Sequence, residues 1–252
     1  VLFRSTSNGN KNNDSFFEKS IVDIETLKNT IKVQVGSSST MLSAILQNDT
    51  ITKTDDFASA YALNNYEPFW LQKTGLSNFC TIYLQELDSL QYDGLNPEDY
   101  HLSALQKKSE SIIKNNVNSV SDLAEFEFEM THSFFKSAHD LVLGKLSGAI
   151  IYKDWKNKND SLFNVASTFV KTMSSSDFKT NFDSLRPNHI WYKKFRNEYL
   201  RLDQIEKKGG WQNFTELKDS LAIGYSSESV RKLRQRLHTE IGLPLDTSSI
   251  IW

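Results

Sequence analysis

The chain has 252 residues and a formal net charge of −2, and 38% of its residues are hydrophobic while 24% are charged. This length predicts one large domain or two small ones, with enough apolar residues for a sizeable core. The near balance of charge, without a basic stripe, argues against nucleic acid as the main partner, because neutralising phosphates requires clustered Lys and Arg.

A single cysteine, Cys80, excludes an internal disulfide framework but does not fix the cellular compartment. The sequence has no apolar run of about 18 residues, so it predicts no transmembrane segment. It shows no signal peptide either, but its first residue is Val1 and not Met. We therefore expect that the native start was removed or lies upstream.

Residues 1–39 are predicted to be disordered or weakly structured. Residues 1–15 are rich in Ser, Asn and Lys, a composition typical of disorder. Between Phe16 and Gln34 the first apolar residues follow helical spacing and predict a helix. The alternation in Ile31–Val35 then predicts a short strand.

Three amphipathic patterns predict helices over Met41–Asn48, Asp55–Asn64 and Leu76–Leu90. Three residues of the second helix are expected to face inward: Phe57, Ala60 and Tyr61. Pro68 disfavours helical geometry at the residue before it, so Tyr66–Trp70 is predicted to be extended. Its two final residues are aromatic, which favours a plug docked on the core.

The segment Asp93–His101, with the sequence DGLNPEDYH, is predicted to be a compact turn. Gly94 can adopt a positive φ and so close the preceding helix. Asn96 is placed to cap a new turn that has Pro97 at its first position.

A long helix from Ser121 to Leu146 is predicted to be the spine of the domain. Apolar residues repeat at three- and four-residue steps along one face: Leu123, Phe126, Met130, Phe134, Ala138 and Leu141. Ser121 is expected to cap the start of this helix, and Gly144 and Gly148 to mark the region of its end.

A connection that contains Trp155 comes next, and four further helices are predicted, over Ser161–Lys171, Ser176–Leu185, Trp191–Lys208 and Ser229–Ile241. Gly209 and Gly210 are expected to stop the third of these, and Ser227 to cap the fourth. The pattern predicts a mainly α fold. It divides into a multi-helix scaffold domain over residues 40–216 and the beginning of a small helical module over residues 217–252.

Several segments, in their order and spacing, resemble one known family. They are Tyr66–Trp70, Asp93–Leu95, Pro97–His101, Asp122–Glu125, Gly144–Leu146, Trp155, Pro187, Tyr192, Gly209–Trp211, and the helix with Val230, Leu233, Arg234 and Leu237. This order is similar to the scaffold domain of the large murein L,D-transpeptidases. In that family a peptidoglycan-binding module and a catalytic domain follow the scaffold.

The resemblance implies chemistry by a Cys nucleophile with a His base, in a Ser-x-Gly-Cys-x-Arg-like motif. Such an enzyme takes an acyl group from a tetrapeptide stem and passes it to an amine on a neighbouring stem. The sequence has no such motif, and Cys80 lies in Ser77–Thr81 without a Gly before it. We therefore expect these residues to be the scaffold portion of a peptidoglycan-crosslinking transferase, followed by the truncated beginning of a peptidoglycan-binding-like module.

The partners that the resemblance implies are peptidoglycan and the missing catalytic domain of the same chain. The implied location is the periplasm or cell envelope of a bacterium. The sequence assigns no catalytic, cofactor-binding or metal-binding residue, and no cofactor is expected.

Cys80 is either a nucleophile activated by a neighbouring His or a small buried hydrophobe, and its place on an apolar helix side favours burial. His132 and His139 share a helix face, but a zinc site would need a third ligand. His101 is expected to bond the local backbone and not to catalyse.

Glu125, Glu127 and Glu129 alternate along the spine, so they lie on different faces of the helix. They do not form the carboxylate pair that glycoside cleavage requires. Four tryptophans are candidates either for a sugar-stacking platform or for locking helix ends into a core, and their positions beside Pro or Gly favour packing: Trp70, Trp155, Trp191 and Trp211.

Two other functions remain open. The first is a non-catalytic peptidoglycan-binding or envelope-interaction protein that is complete as it stands. The second is a cytosolic helical regulator, which predicts a Met start and no signal peptide upstream of Val1. The open reading frame on both sides of this sequence discriminates among the three.

Overall fold

A computed structural model describes residues 22–36, 39–47, 49, 51–114, 119–146, 163–211, 222–242, 244 and 246–251. The described residues contain ten α-helices, two short 3₁₀ turns and a single two-stranded sheet. This composition confirms the mainly α fold. The chain divides into two compact units, Val1–Asn188 and His189–Trp252, and each is described by itself.

The first unit contains eight of the helices and the sheet. The helices are α1 Ile24–Gly36, α2 Thr40–Ile45, α3 Thr54–Leu63, α4 Asn78–Ser89, α5 Leu102–Ile113, α6 Val120–Leu143, α7 Val165–Met173 and α8 Phe178–Asp183. The antiparallel strands β1 Leu71–Gln72 and β2 Gly75–Leu76 pair Leu71 with Leu76. The 3₁₀ turns Leu90–Asp93 and Pro97–Tyr100 join α4 to α5.

The spine helix α6 has 24 residues, which makes it about 36 Å long. It buries residues on several sides, which include Phe126, Phe128, Phe134 and Phe135. The cap lies two residues before the predicted one, because the Ser119 hydroxyl accepts a hydrogen bond from Asp122 N (3.0 Å). Ser121 is already inside the helix, so its predicted capping role is wrong. Gly144, with φ 87°, ends the helix as expected.

Aromatic rings fill the centre of the first unit. Phe134 meets Phe169 with ring centroids 4.9 Å apart, and Phe169 meets Phe69 at 4.6 Å. Phe57 lies edge-on to Phe135 at 5.1 Å. Such pairs add about 0.5–1.5 kcal/mol each beyond the apolar area that they bury. The inward orientation predicted for Phe57, Ala60 and Tyr61 is confirmed, since each is completely buried.

The strand predicted for Ile31–Val35 is wrong, because these residues continue α1. Leu27 and Ile31, one helical turn apart, are both fully buried, whereas Val33 is exposed. Packing of this face overrides an alternation that is only five residues long. Residues 24–36 therefore depart from the weakly structured segment expected at 1–39, and residues 1–21 lie outside the described part of the chain.

Other predicted helices are present with shifted ends. α7 begins after Asn164, whose side chain accepts a hydrogen bond from Ser167 N (2.7 Å), and residues 161–162 are not described. Asp177 caps α8 by accepting from Thr180 N (3.0 Å), so this helix begins at Phe178 and not at the predicted Ser176. Gly94 and Asn96 act as predicted, with Gly94 at φ 76° and Asn96 accepting from Glu98 N.

The second unit contains α9 Ile190–Lys207 and α10 Glu228–Ile241. Ser227 caps α10 as predicted, and Gly242 ends it with φ 68°. An isolated antiparallel β-bridge pairs Ser226, which precedes this helix, with Ile251 near the end of the chain. The predicted domain boundary at residues 216/217 falls outside the described residues and stays a prediction. Among the helices that the structure describes, none has the length and apolar character needed to cross a bilayer.

Candidate functional site

Cys80 is the chain's only cysteine and lies fully buried in the first turn of α4. Burial raises the pKa of its thiol to about 12, and the negative charge of Glu127 contributes to this rise. Because the thiolate is the nucleophilic form, such a thiol is inert near neutral pH. The structure therefore favours the packing role of Cys80 over the nucleophilic one.

Glu127 forms a buried polar centre in the middle of α6. Its carboxylate accepts hydrogen bonds from the backbone N–H groups of Phe69 and Trp70, the latter at 3.1 Å, and from Tyr61 Oη at 3.3 Å. Burial raises the pKa of Glu127 to about 8, although these donors oppose the shift. The sequence does not single out Glu127 for this role.

Thr131, one turn further along α6, extends this centre. Its hydroxyl oxygen accepts a hydrogen bond from Trp70 Nε1 at 2.9 Å and donates one to the carbonyl of Glu127 at 3.0 Å. Tyr61 Oη lies 2.9 Å from the same oxygen. Glu127 thus holds the main chain of Phe69 and Trp70, and Thr131 holds the indole of Trp70. These bonds confirm the predicted docking of the two aromatic residues on the core.

The plug is not extended along its whole length. Tyr66 has φ 61°, a left-handed conformation, and its N–H donates to Tyr61 O at 2.7 Å. This bond closes the end of α3, so the predicted extended geometry is wrong at Tyr66. Lys28 of α1 forms an ion pair with Glu67, which holds the plug from the outside.

Arg186 forms a second buried polar centre, at the end of α8. The Arg186 side chain is 7% exposed, and its guanidinium forms ion pairs with Asp93 Oδ2 at 2.8 Å and Glu86 Oε2 at 3.2 Å. It also pairs with Asp183 and donates a hydrogen bond to the Ser89 hydroxyl oxygen at 3.0 Å. One side chain therefore fastens α8 to α4 and to the turn that contains Asp93 and Gly94.

The three alternating glutamates occupy two helix faces and not three, so the prediction of different faces is confirmed for Glu127 and is wrong for Glu125 and Glu129, which lie one turn apart. Glu127 is buried, whereas Glu125 and Glu129 both pair with Lys108 of α5 at 2.8 and 2.7 Å on the surface. Exposed pairs of this kind contribute little to stability.

His132 and His139 are not brought together as metal ligands. His132 Nε2 lies 2.6 Å from Asp49 Oδ2, and both side chains are 5% exposed. Burial lowers the pKa of His132, which the charge of Asp49 opposes. His139 Nδ1 instead lies 3.2 Å from Asp140, which accepts a hydrogen bond from Tyr100.

Within the described ranges, no three His, Cys, Asp or Glu side chains are grouped so that they would hold a metal ion. His101 adopts φ 62° at the start of α5, where its N–H donates to Glu98 O and its carbonyl accepts from Leu105 N. Its ring centroid lies 6.2 Å from that of His132.

The tryptophans do not form one platform. Trp70 is completely buried, in agreement with a packing role, and Trp155 lies outside the described residues. The packing role expected for Trp191 is wrong, because α9 has no buried residue and Trp191 is 56% exposed. Trp211 is partly buried beneath Arg236.

A comparison with protein families matches the chain to a model described as a scaffold domain over residues 55–198. No curated protein and no solved structure matches the chain significantly. The family match covers more than half of the chain and contains the plug, both buried polar centres and α6. The chain therefore belongs to the scaffold-domain family, the scaffold of the L,D-transpeptidases.

Proposed function

We propose that this chain is the non-catalytic framework of an enzyme that crosslinks peptidoglycan by L,D-transpeptidation. The observation that carries the proposal is the scaffold-domain match over residues 55–198. The burial of Cys80 supports the non-catalytic part, since the chain has no other cysteine to act as a nucleophile. The Cys–His centre would then lie outside these 252 residues.

The buried polar centres suit a framework. Glu127 and Thr131 hold the plug against α6, and Arg186 holds α8 against the turn at Asp93. Buried, fully paired polar groups specify one packing geometry, because any alternative leaves a charge or donor unpaired. A catalytic domain needs supports that keep their positions to within a fraction of an ångström.

The partners that follow from this proposal are peptidoglycan and the catalytic domain of the same polypeptide. The location that follows is the periplasm or cell envelope of a bacterium. Both derive from the family's chemistry, which acts on stem peptides of the wall.

The test is made on the parent gene and its product. We expect the reading frame beyond Trp252 to encode a domain with a Cys–His pair. In the purified parent protein, Cys80→Ser should leave crosslinking of tetrapeptide-stem muropeptides unchanged, whereas Ser in place of the downstream Cys should abolish it. A frame without such a domain, or loss of crosslinking in Cys80→Ser with the fold intact, would refute the proposal.

A non-catalytic peptidoglycan-binding or envelope-interaction protein is the second candidate, because the inert environment of Cys80 suits it equally. The same reading frame separates the two. A stop codon without an intervening Cys–His domain would favour this candidate, and binding of the chain to purified sacculi would then be its direct assay.

A further inference from the structure

The first turns of α9 carry an exposed aromatic face. Trp191, Phe195 and Tyr199 follow one another at four-residue steps, so they lie on the same side of the helix. Phe195 is 71% exposed and Trp191 is 56% exposed, and their ring centroids are 6.3 Å apart. Single exposed apolar residues are common on protein surfaces, but a contiguous group of large ones indicates an interaction surface.

Basic residues accompany this aromatic face. The stretch Ile190–Arg201 contains four of them: Lys193, Lys194, Arg196 and Arg201. The only acidic residue in the same stretch is Glu198, which forms an ion pair with Arg201 at 2.6 Å. Four basic residues against one acidic residue give this part of the helix a formal charge of +3, whereas the whole chain has −2. The surface that contacts it should therefore be anionic.

The rings and the charges are arranged as in helices that lie flat on a bilayer. Because successive helical residues are rotated by about 100°, Lys193 and Arg196 project away from the side that carries Trp191 and Phe195. Lys194 Nζ lies 4.8 Å from the centroid of the Trp191 ring, so its apolar stem covers the edge of the aromatic face. In interfacial helices the aromatic side chains enter the headgroup region, and Lys and Arg attract anionic lipids. Trp and Tyr are the residues preferred at this depth.

An anionic bilayer suits this face better than a second copy of the chain does. Two copies would bring two helix segments of the same positive charge together, and like charges across an interface oppose binding. A bilayer with anionic headgroups attracts the basic residues and also removes the aromatic rings from water. One partner therefore accounts for both features of α9.

We propose that α9 docks this chain on the surface of an anionic lipid bilayer, with Trp191, Phe195 and Tyr199 inserted among the headgroups. The helix lies in the plane of the membrane and does not cross it. The docking rests on the residues of α9 alone, so it is independent of the proposed function.

The experiment measures co-sedimentation of the whole 252-residue chain with lipid vesicles. One set of vesicles contains phosphatidylcholine alone, and the other contains equal parts of phosphatidylcholine and phosphatidylglycerol. We expect binding to the anionic vesicles to be about tenfold or more tighter, because each basic residue near an anionic surface adds to the affinity. Added salt should reduce this difference, since it screens exposed charges.

Two substitutions separate the aromatic contribution from the electrostatic one. Phe195→Gln should weaken binding to the anionic vesicles about tenfold, because a large ring is no longer removed from water. Lys194→Gln should weaken it about fivefold and leave binding to the neutral vesicles unchanged. The matched control is Ile113→Gln on α5, which removes a side chain that is 67% exposed and should bind normally. Because α9 has no buried residue, its variants should keep the helical circular dichroism of the unmodified chain.

Insertion of the rings has a readout that adsorption by charge alone would not move. Acyl chains labelled with bromine should quench the tryptophan emission of the bound chain, and Trp191→Phe should lose most of this quenching while it still binds. Equal binding to both kinds of vesicle, no binding, or binding that Phe195→Gln leaves unchanged would overturn the proposal. A dimer in sedimentation velocity that Phe195→Gln converts to monomer would also overturn it, because the aromatic face would then contact a second copy.

Discussion

At the scale of single residues, Glu127 is the most consequential feature of the first unit. It is a completely buried carboxyl whose partners are the main chain of the plug and the Tyr61 hydroxyl. The sequence places Glu127 on a different helix face from Glu125 and Glu129. It does not show that this face is the buried one, because which element covers it depends on residues 57–66 positions away in the chain.

Glu127 should make the stability of the fold depend on pH. Its pKa rises from 4.5 to about 8 on burial. Between these values the unfolded chain loses a proton that the folded chain keeps, so the free energy of unfolding should fall as pH rises from about 5 to 8, by an amount on the order of a few kcal/mol. Glu127→Gln should flatten this slope in urea titrations at several pH values.

The control is Glu125→Gln, which removes a partly exposed carboxyl from the same helix. Its slope should match that of the unmodified chain. His132 has a lowered pKa and titrates in the opposite sense, but it is common to all three proteins. Identical slopes for the unmodified chain and Glu127→Gln would contradict the assignment of this titration to Glu127.

At the scale of elements, helices were predictable where an amphipathic pattern was long, and their ends were not. The apolar repeat predicts α6 itself, but the sequence predicts a cap at Ser121 although Ser119 is the cap. Both serines have a side chain that suits a cap, and the choice depends on the backbone of the loop before them. A short pattern is a weaker guide: the alternation in Ile31–Val35 predicts a strand, but these residues are helical. Five alternating residues do not show whether a second strand is present to pair with them.

The position of this cap can be tested by a matched pair of substitutions. Ser119→Ala should lower the free energy of unfolding by about 1 kcal/mol, because Asp122 N loses its acceptor. Ser121→Ala, inside the helix, should change it by less than about 0.5 kcal/mol. Urea denaturation of the two variants measures the difference. A larger loss for Ser121→Ala would restore the original prediction.

The attachment of α8 depends on Arg186, which no sequence pattern identifies except its position before Pro187. Removing it by Arg186→Met takes the guanidinium away from the buried carboxylates of Asp93 and Glu86. We expect a loss of about 3–5 kcal/mol in the free energy of unfolding, as for other broken buried ion pairs.

Lys108→Met is the control for Arg186, because it breaks two ion pairs at the surface. It should cost about 1 kcal/mol or less. Thermal unfolding monitored by circular dichroism compares the two variants. Equal losses would show that the Arg186 cluster is not the fastening that its burial indicates.

At the scale of the whole molecule, the order of several short segments predicts the family. The same sequence does not predict the buried polar residues that hold those segments in place. The plug at Phe69 and Trp70 and the turn at Asp93–Leu95 are such segments, and each meets a buried polar centre in the structure. Their partners, Glu127 and Arg186, lie far away in sequence, so only the fold brings them together.

We propose that this chain supports transpeptidation without performing it. The most direct measurement incubates the purified 252-residue chain with tetrapeptide-stem muropeptides and detects crosslinked dimers by mass spectrometry. Near-ultraviolet circular dichroism and slow labelling of Cys80 by a thiol reagent report that the protein is folded. We expect no dimers from either the unmodified chain or Cys80→Ser. Dimers that form with the unmodified chain and disappear with Cys80→Ser would contradict the claim.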